Sequence, residues 1–325
     1  MKKTISILLC IIFFCLAACG CGSGEKSSKG EKVKIVTTIF PVYDWVKNIV
    51  GENDNVDITM LIDSGVDLHS FQPSARDIMK ISDCDMFVFV GGESDKWTAD
   101  ALKGARNSEM RKLNIMEILG SLKVEEEEKE GMQAEEEEEG EEEEAEIEYD
   151  EHIWLSLKNA AYSCEKITEA LCGIDSENAE TYIKNNKEYT EKIKELDSRY
   201  KDAVKNATNK TLVFADRFPF AYMFKDYGLD YYAAFKGCSA ETEASFETVI
   251  FLASKVDELG LKNIMKIESS DGSIARTVRE NTKSKDQEIV AMNSLQSITA
   301  NELENGADYL NIMEDNLTAL SKVLK

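Results

Sequence analysis

Residues 177–207 run for 31 positions without glycine or proline, and Ala179, Tyr182, Ile183, Tyr189, Ile193, Leu196, Tyr200 and Val204 recur there at roughly helical intervals. A helix of about 30 residues spans about 45 Å, more than one ordinary domain needs. The segment is therefore expected to connect two lobes, which leaves the flanking sequence to build one lobe each. On the N-terminal side, "VKIVTTIF" (33–40) is a β-branched strand, and Pro41 opens a helix whose Val42, Trp45, Val46 and Ile49 share a face and which stops at Gly51. "NVDITMLI" (55–62) is a second strand, "SARDIMKISDCD" a helix capped by Ser74, and "MFVFVGG" (86–92) a continuously apolar strand of the kind buried in parallel sheets. On the C-terminal side come the strands "TLVFAD" (211–216), "YYAAF" (231–235), "NIMKIE" (263–268) and "EIVAM" (288–292). Helices near Tyr222 to Tyr227, over 245–259 and over 307–324 separate or close them. The predicted fold class is α/β, with two doubly wound lobes, residues 33–175 and 208–325, joined by the connecting helix at 176–207 around one cleft. Ligands of such sheets sit at the carboxyl ends of the strands.

The N-terminus reads as an address rather than as fold. Lys2 and Lys3, an apolar block over 5–14 and Leu16-Ala17-Ala18-Cys19 make a secretory signal too short to span a bilayer. The cleavage stretch (1–19) resembles a bacterial lipobox, with Cys19 as the lipid-bearing residue and Cys21 as the fallback. Residues 20–32, rich in glycine, serine and lysine, have the composition of a flexible tether. The folded body is thus expected outside the bacterial cell membrane, anchored to it by lipid. Cys84, Cys164, Cys172 and Cys238 show no CxxC pair and no zinc-finger spacing, so they read as small buried apolar residues. A Cys164 to Cys172 bridge is not expected, because eight positions along a helix separate the two by too great a distance.

Charge is local in this chain. Residues 125–151 hold 18 acidic side chains against Lys129 alone, which places −17 of the net −24 in that stretch. Such a segment buries too little apolar surface to fold, so residues 124–149 are expected to be a disordered acidic loop, and nucleic acid is excluded as a partner. The loop is read as a solvated insertion, or as a carboxylate brush that gathers divalent cations near a site. It ends on Asp150-Glu151-His152.

The chain has only two histidines. His69 lies in "DLHSFQPSARD", seven residues past the second predicted strand, and His152 begins "HIWL" just after the acidic loop. The order lipobox, "IVTTIFPVYDWV", "DLHSFQPSARD", "FVFVGGESDKW", charged loop, "EHIWLSLKNA", long helix and "GCSAETEASFETV" resembles the metal-binding lipoproteins that feed zinc or manganese ABC importers, over nearly the whole mature chain. That resemblance implies that His69 and His152 are metal ligands, that the cargo is Zn2+ with Mn2+ as the alternative, and that the partners are an ABC permease and its ATPase. A monomer is expected. Imidazole suits zinc chemically, and two histidines with added oxygens would complete a tetrahedral shell.

The second lobe departs from the family pattern. Where a histidine or glutamate is expected after "TLVFAD", the alignment falls on Ala215 or Arg217, neither a ligand; Asp216 between them is the nominated oxygen. Glu243 in "GCSAETEAS" is the second nominee, as a direct ligand or as a partner orienting a histidine. Glu268 and Asn293 are weaker oxygens, and Cys238 is the one sulfur candidate. Two other classes remain. A zinc hydrolase lacks support because no His-Glu-x-x-His helix is present, so no enzyme is expected. A surface adhesin with a vestigial metal site is the remaining alternative.

Overall fold

The computed structural model describes residues 32–133, 147–239 and 243–325. The lipobox cysteine Cys19, the tether and the central part of the acidic loop lie outside the described residues. The first lobe carries a parallel sheet of order β2-β1-β3-β4, with β1 at Val33–Thr37, β2 at Val56–Met60, β3 at Met86–Phe89 and β4 at Arg111–Asn114. The second lobe repeats the order as β6-β5-β7-β8, with β5 at Thr211–Phe218, β6 at Asp230–Lys236, β7 at Asn263–Ile267 and β8 at Glu288–Met292. Both sheets change strand direction of growth beside their first strand, which is where doubly wound sheets open a ligand crevice.

Local chemistry explains the first-lobe helices. Helix α1 (Phe40–Val50) begins with proline in its first turn and ends at Gly51, whose N–H donates to the Lys47 carbonyl and whose φ of 63° turns the chain out of the helix. Helix α2 (Ala75–Ser82) opens with a reciprocal capping box between Ser74 and Asp77. Strand β4 and the short helices α3 (Trp97–Lys103) and α4 (Ile115–Leu119) were not expected. The sequence "RKLN" lacks the apolar run of a central strand because β4 is an edge, paired only with β3.

Helix α5 (Leu157–Ile174), capped by Ser156, leads into the long helix α6 (Ala179–Lys205), 27 residues in place of about 30. The second lobe adds α7 (Ala221–Tyr227), α8 (Phe246–Glu258), α9 (Ser273–Asn281), α10 (Ala300–Glu304) and the closing α11 (Tyr309–Val323). Along α6, Tyr182, Tyr189, Ile193, Leu196, Tyr200 and Val204 are buried, and the stripe touches elements of both lobes. Tyr189 Oη donates to Asp44 Oδ2 of α1 at 3.0 Å, and Tyr200 Oη to the Met313 carbonyl of α11 at 2.5 Å. Trp45 meets Tyr309 edge-on at 5.5 Å between centroids, and Tyr309 Oη donates to the Trp154 carbonyl. Among the described residues one hydrophobic cluster therefore runs through both lobes, and a smaller cluster under α8 and α9 belongs to the second lobe alone. Among the described residues no helix is long and apolar enough to cross a membrane.

The flanks of the acidic segment correct the expectation of a wholly unfolded loop. Glu125 bridges Tyr149 in antiparallel fashion, and the Asp150 N–H donates to the Val124 carbonyl, so the two ends are zipped together. Residues 124–133 then cross to the second lobe. Gln133 N–H donates to the Ala234 carbonyl, Lys129 pairs with Asp230, and Gln133 Oε1 accepts from the Ser245 N–H. These partners all come from distant sequence, which is why glutamate content alone pointed the other way.

Candidate metal centre

His69 lies in a single 3-10 turn, Leu68–Ser70, whose N-cap Asp67 accepts the His69 N–H at 3.0 Å. The turn follows β2 and brings the ring to the carboxyl edge of the first sheet. His152 precedes another 3-10 turn, Ile153–Leu155, and is fully buried, with its ring edge-on to Trp154. The two rings meet with Nε2 atoms 3.2 Å apart.

Each imidazole is held by its other nitrogen. His69 Nδ1 lies 2.7 Å from Ser94 Oγ and 3.7 Å from Glu151 Oε2; His152 Nδ1 lies 3.2 Å from Asp150 Oδ1, which also accepts the His152 N–H at 2.8 Å. With Nδ1 of each ring held by an oxygen that can accept its proton, both Nε2 atoms are turned toward one point and can serve as ligands there. Two ring nitrogens at this distance share either a proton or a metal ion between them. Two nitrogen ligands on one tetrahedral zinc are separated by roughly 3.3 Å when the Zn–N bonds are 2.0–2.1 Å, so the observed spacing is that of one edge of such a shell. The carboxylate behind His152 is the arrangement that orients histidine ligands on metals.

The electrostatics agree. Burial would lower the His152 pKa, but Asp150, through charge and hydrogen bond, with Glu151 and Asp67, outweighs it and raises the value. Burial and the neighbouring His152 push His69 the other way. The carboxylates around His152 thus favour positive charge at this end of the pair, the charge that a bound cation would bring. Burial raises Glu151, whose Oε1 accepts from the Ser94 N–H while Oε2 has no hydrogen-bond partner. Gly92, at φ 79°, makes room for it, since a Cβ there would fall 2.3 Å from Glu151 Oε1.

The second lobe contributes differently from the sequence expectation. In β5 a bulge between Phe214 and Arg217 re-aims the strand end. Asp216 turns inward, accepting from the N–H groups of Arg217 and Ile267 at 2.9 and 3.3 Å, while Arg217 extends across the cleft. Its guanidinium donates to Asp67 Oδ2 at 2.9 Å and to the Ser239 carbonyl at 3.4 Å. Glu268 accepts from Ser294 N–H and Oγ and so ties the end of β7 to the loop after β8, while Asn293 Oδ1 accepts from the Leu295 N–H within its own turn. Glu243 is exposed. Neither Asp216 nor Glu243 joins the histidines. The group that does form among the described residues is His69, His152 and Cys238, whose ligand atoms lie within 4.8 Å of one another. Burial, with Asp150, Glu126 and Glu151 nearby, holds the Cys238 thiol well above its ordinary pKa. Its position next to Gly237 at the end of β6 was the available sequence signal, and spacing rules for cysteine pairs could not register it.

Known proteins share this architecture. The family described as "Zinc-uptake complex component A periplasmic" matches residues 35–323. The high-affinity zinc uptake system protein ZnuA of Bacillus subtilis is 32% identical over 314 residues, covering 96% of this chain and 94% of that protein. The zinc-binding protein AdcA of Streptococcus pyogenes is 31% identical over 326 residues, but this chain spans only 61% of its length. Among solved structures, the Zn(II)-bound ZnuA-like domain of Streptococcus pneumoniae AdcA superimposes with a TM-score of 0.70 at 27% identity, over 90% of this chain and 99% of that one. The metal-dependent lipoprotein YcdH of Bacillus subtilis gives 0.72 at 28% identity, over 90% and 99%. The chain belongs to the ZnuA family of zinc-uptake binding components.

Proposed function

We propose that this protein captures zinc outside the cytoplasm and delivers it to an ABC-type permease driven by its ATPase. The observation that carries the reading is the pair of Nε2 atoms 3.2 Å apart, each imidazole fixed from behind by its Nδ1 partner. His69 and His152 are the nitrogen ligands, and Asp150 and Ser94 orient them. Zinc is favoured over manganese because imidazole suits borderline cations, whereas manganese prefers oxygen. The protein is a carrier and not an enzyme: Asp150 is engaged with His152, and Glu151 is packed behind His69, so neither is free to act as a base on a bound water. Lipid attachment at Cys19 and a monomeric state complete the proposal. With one core running through both lobes, release proceeds by local displacement of the turn at His69 and not by wide hinge opening.

Calorimetric titration with zinc and manganese tests the assignment. One tight zinc site that disappears in His69→Ala supports it. Absence of a tight site, or a site indifferent to His69→Ala, refutes it.

A further inference from the structure

We propose that Cys238 is the second lobe's ligand to the cargo metal, so that the site is a two-histidine, one-thiolate centre selective for thiophilic divalent cations. The inference rests on the reading of His69 and His152 as a metal-holding pair and extends it to a sulfur ligand.

Three features hold the sulfur at the site. First, its ligand atom and the two imidazoles form one group within 4.8 Å, close to the roughly 3.6 Å nitrogen-to-sulfur edge of a tetrahedral site with Zn–S bonds near 2.3 Å. A contraction on the order of 1 Å completes the shell. Second, the preceding Gly237 lies so close to His152 that a Cβ there would sit 3.1 Å from its Cε1 and 2.9 Å from the Phe218 carbonyl oxygen. Glycine at 237 is what lets the β6 loop lie against the histidine. Third, the loop is tied on both sides of the sulfur: Cys238 N–H donates to Glu126 Oε1 at 3.1 Å, and the Ser239 carbonyl accepts from Arg217. Glu126 belongs to the N-terminal flank of the acidic segment, so that flank positions the ligand loop directly.

The second-lobe oxygens that might compete, and Asp67 across the cleft from them, are already engaged, while Glu151 lies on the Nδ1 side of His69. Asp216, Glu268 and Asn293 accept hydrogen bonds from the chain around them, and Asp67 is held by Arg217 and the His69 N–H. On metal binding the thiol proton leaves to solvent and the sulfur donates a lone pair to the cation. A thiolate beside two imidazoles favours zinc and cadmium and disfavours manganese, which prefers carboxylate and water. The fourth position is left to water or to a carboxylate.

Cobalt(II) reports on this directly, because a thiolate ligand adds a sulfur-to-cobalt charge-transfer band in the near ultraviolet, whereas nitrogen and oxygen ligands give only the visible d–d bands. The full chain is titrated with cobalt, zinc and manganese, together with Cys238→Ser. The expected result is the charge-transfer band in the wild type and its loss in Cys238→Ser. The variant keeps d–d bands, binds zinc roughly a hundredfold more weakly, about a quarter share of the binding energy of a structural zinc site, and discriminates less against manganese. Cobalt binding with d–d bands but no charge-transfer band in the wild type overturns the sulfur ligand and leaves the histidine site standing. No binding of zinc or cobalt at all overturns both. The wild-type spectrum needs no variant, so misfolding of Cys238→Ser does not rescue the proposal.

Discussion

The two lobes share a sheet order and a parallel arrangement, yet they treat their strand ends in opposite ways. In the first lobe the loops after β2 and before α5 carry the two histidines, each with a fixed acceptor behind its ring. In the second, the corresponding edge carries a strand bulge, an arginine that reaches across to Asp67, and a cysteine clamped by a glycine. One topology can thus supply a prepared nitrogen pair on one side of a cleft and, on the other, a cross-cleft ion pair with a sulfur. The fold sets where ligands can stand; the side chains decide which do.

The strongest way to break this contrast is to remove one group from each side. His152→Ala should weaken zinc binding by roughly a hundred- to a thousandfold, because it deletes one of about four ligands sharing the binding energy. Asp216→Ala should leave zinc affinity within about threefold and act on stability, by leaving two buried N–H groups with no acceptor. Competition against a chelator of known affinity measures both, and equal losses would mean that the second lobe's oxygen is a ligand after all.

The junction between the lobes offers the next test. Burial and Asp308 push the Asp44 carboxyl up to about 7, against the hydrogen bond from Tyr189. With the folded value above the unfolded one, the folded state keeps a proton that the unfolded chain has lost. Stability should therefore fall as pH rises from about 4 to about 7 and level off above, by at most about 4 kcal/mol. Asp44→Asn should flatten that slope in urea unfolding at several pH values. A slope unchanged by the substitution would place the titration elsewhere.

A smaller change sharpens the first lobe's role. Asp150→Asn keeps the shape but weakens the acceptor behind His152, and zinc affinity should drop by roughly ten- to a hundredfold, the usual cost of losing a partner that orients a ligand. The smallest effect is expected at Arg217. Arg217→Met removes the cross-cleft ion pair, about 1 kcal/mol of stability for a partly exposed pair, and takes a cation away from the site. Zinc affinity should rise by a few fold. A collapse of affinity would show that the Arg217 to Asp67 bridge shapes the centre.

Much of this was legible beforehand. The strands read at 211–216 and 288–292, the Ser74 cap and the long helix follow from apolar periodicity and capping chemistry, which are local properties. Strand β4 escaped because an edge strand needs no apolar run, and residues 124–133 escaped because their partners are on the other lobe. The two histidines stood out because the chain has no others. Asp216 is chemically competent as a ligand, yet it lies within the bulge between Phe214 and Arg217, and its carboxylate accepts from the Ile267 N–H of β7.

The sequence by itself thus determined the number of lobes, their α/β character and the residues able to supply nitrogen to a metal, because these depend on composition and on spacing within one segment. Only the tertiary structure decided which second-lobe side chain faces the histidines, which carboxylates are taken up by the backbone, and where the acidic flanks attach. Those outcomes depend on how strands far apart in sequence pair and bulge. A shift of one residue along a strand turns a side chain to the opposite face, and no local pattern records it.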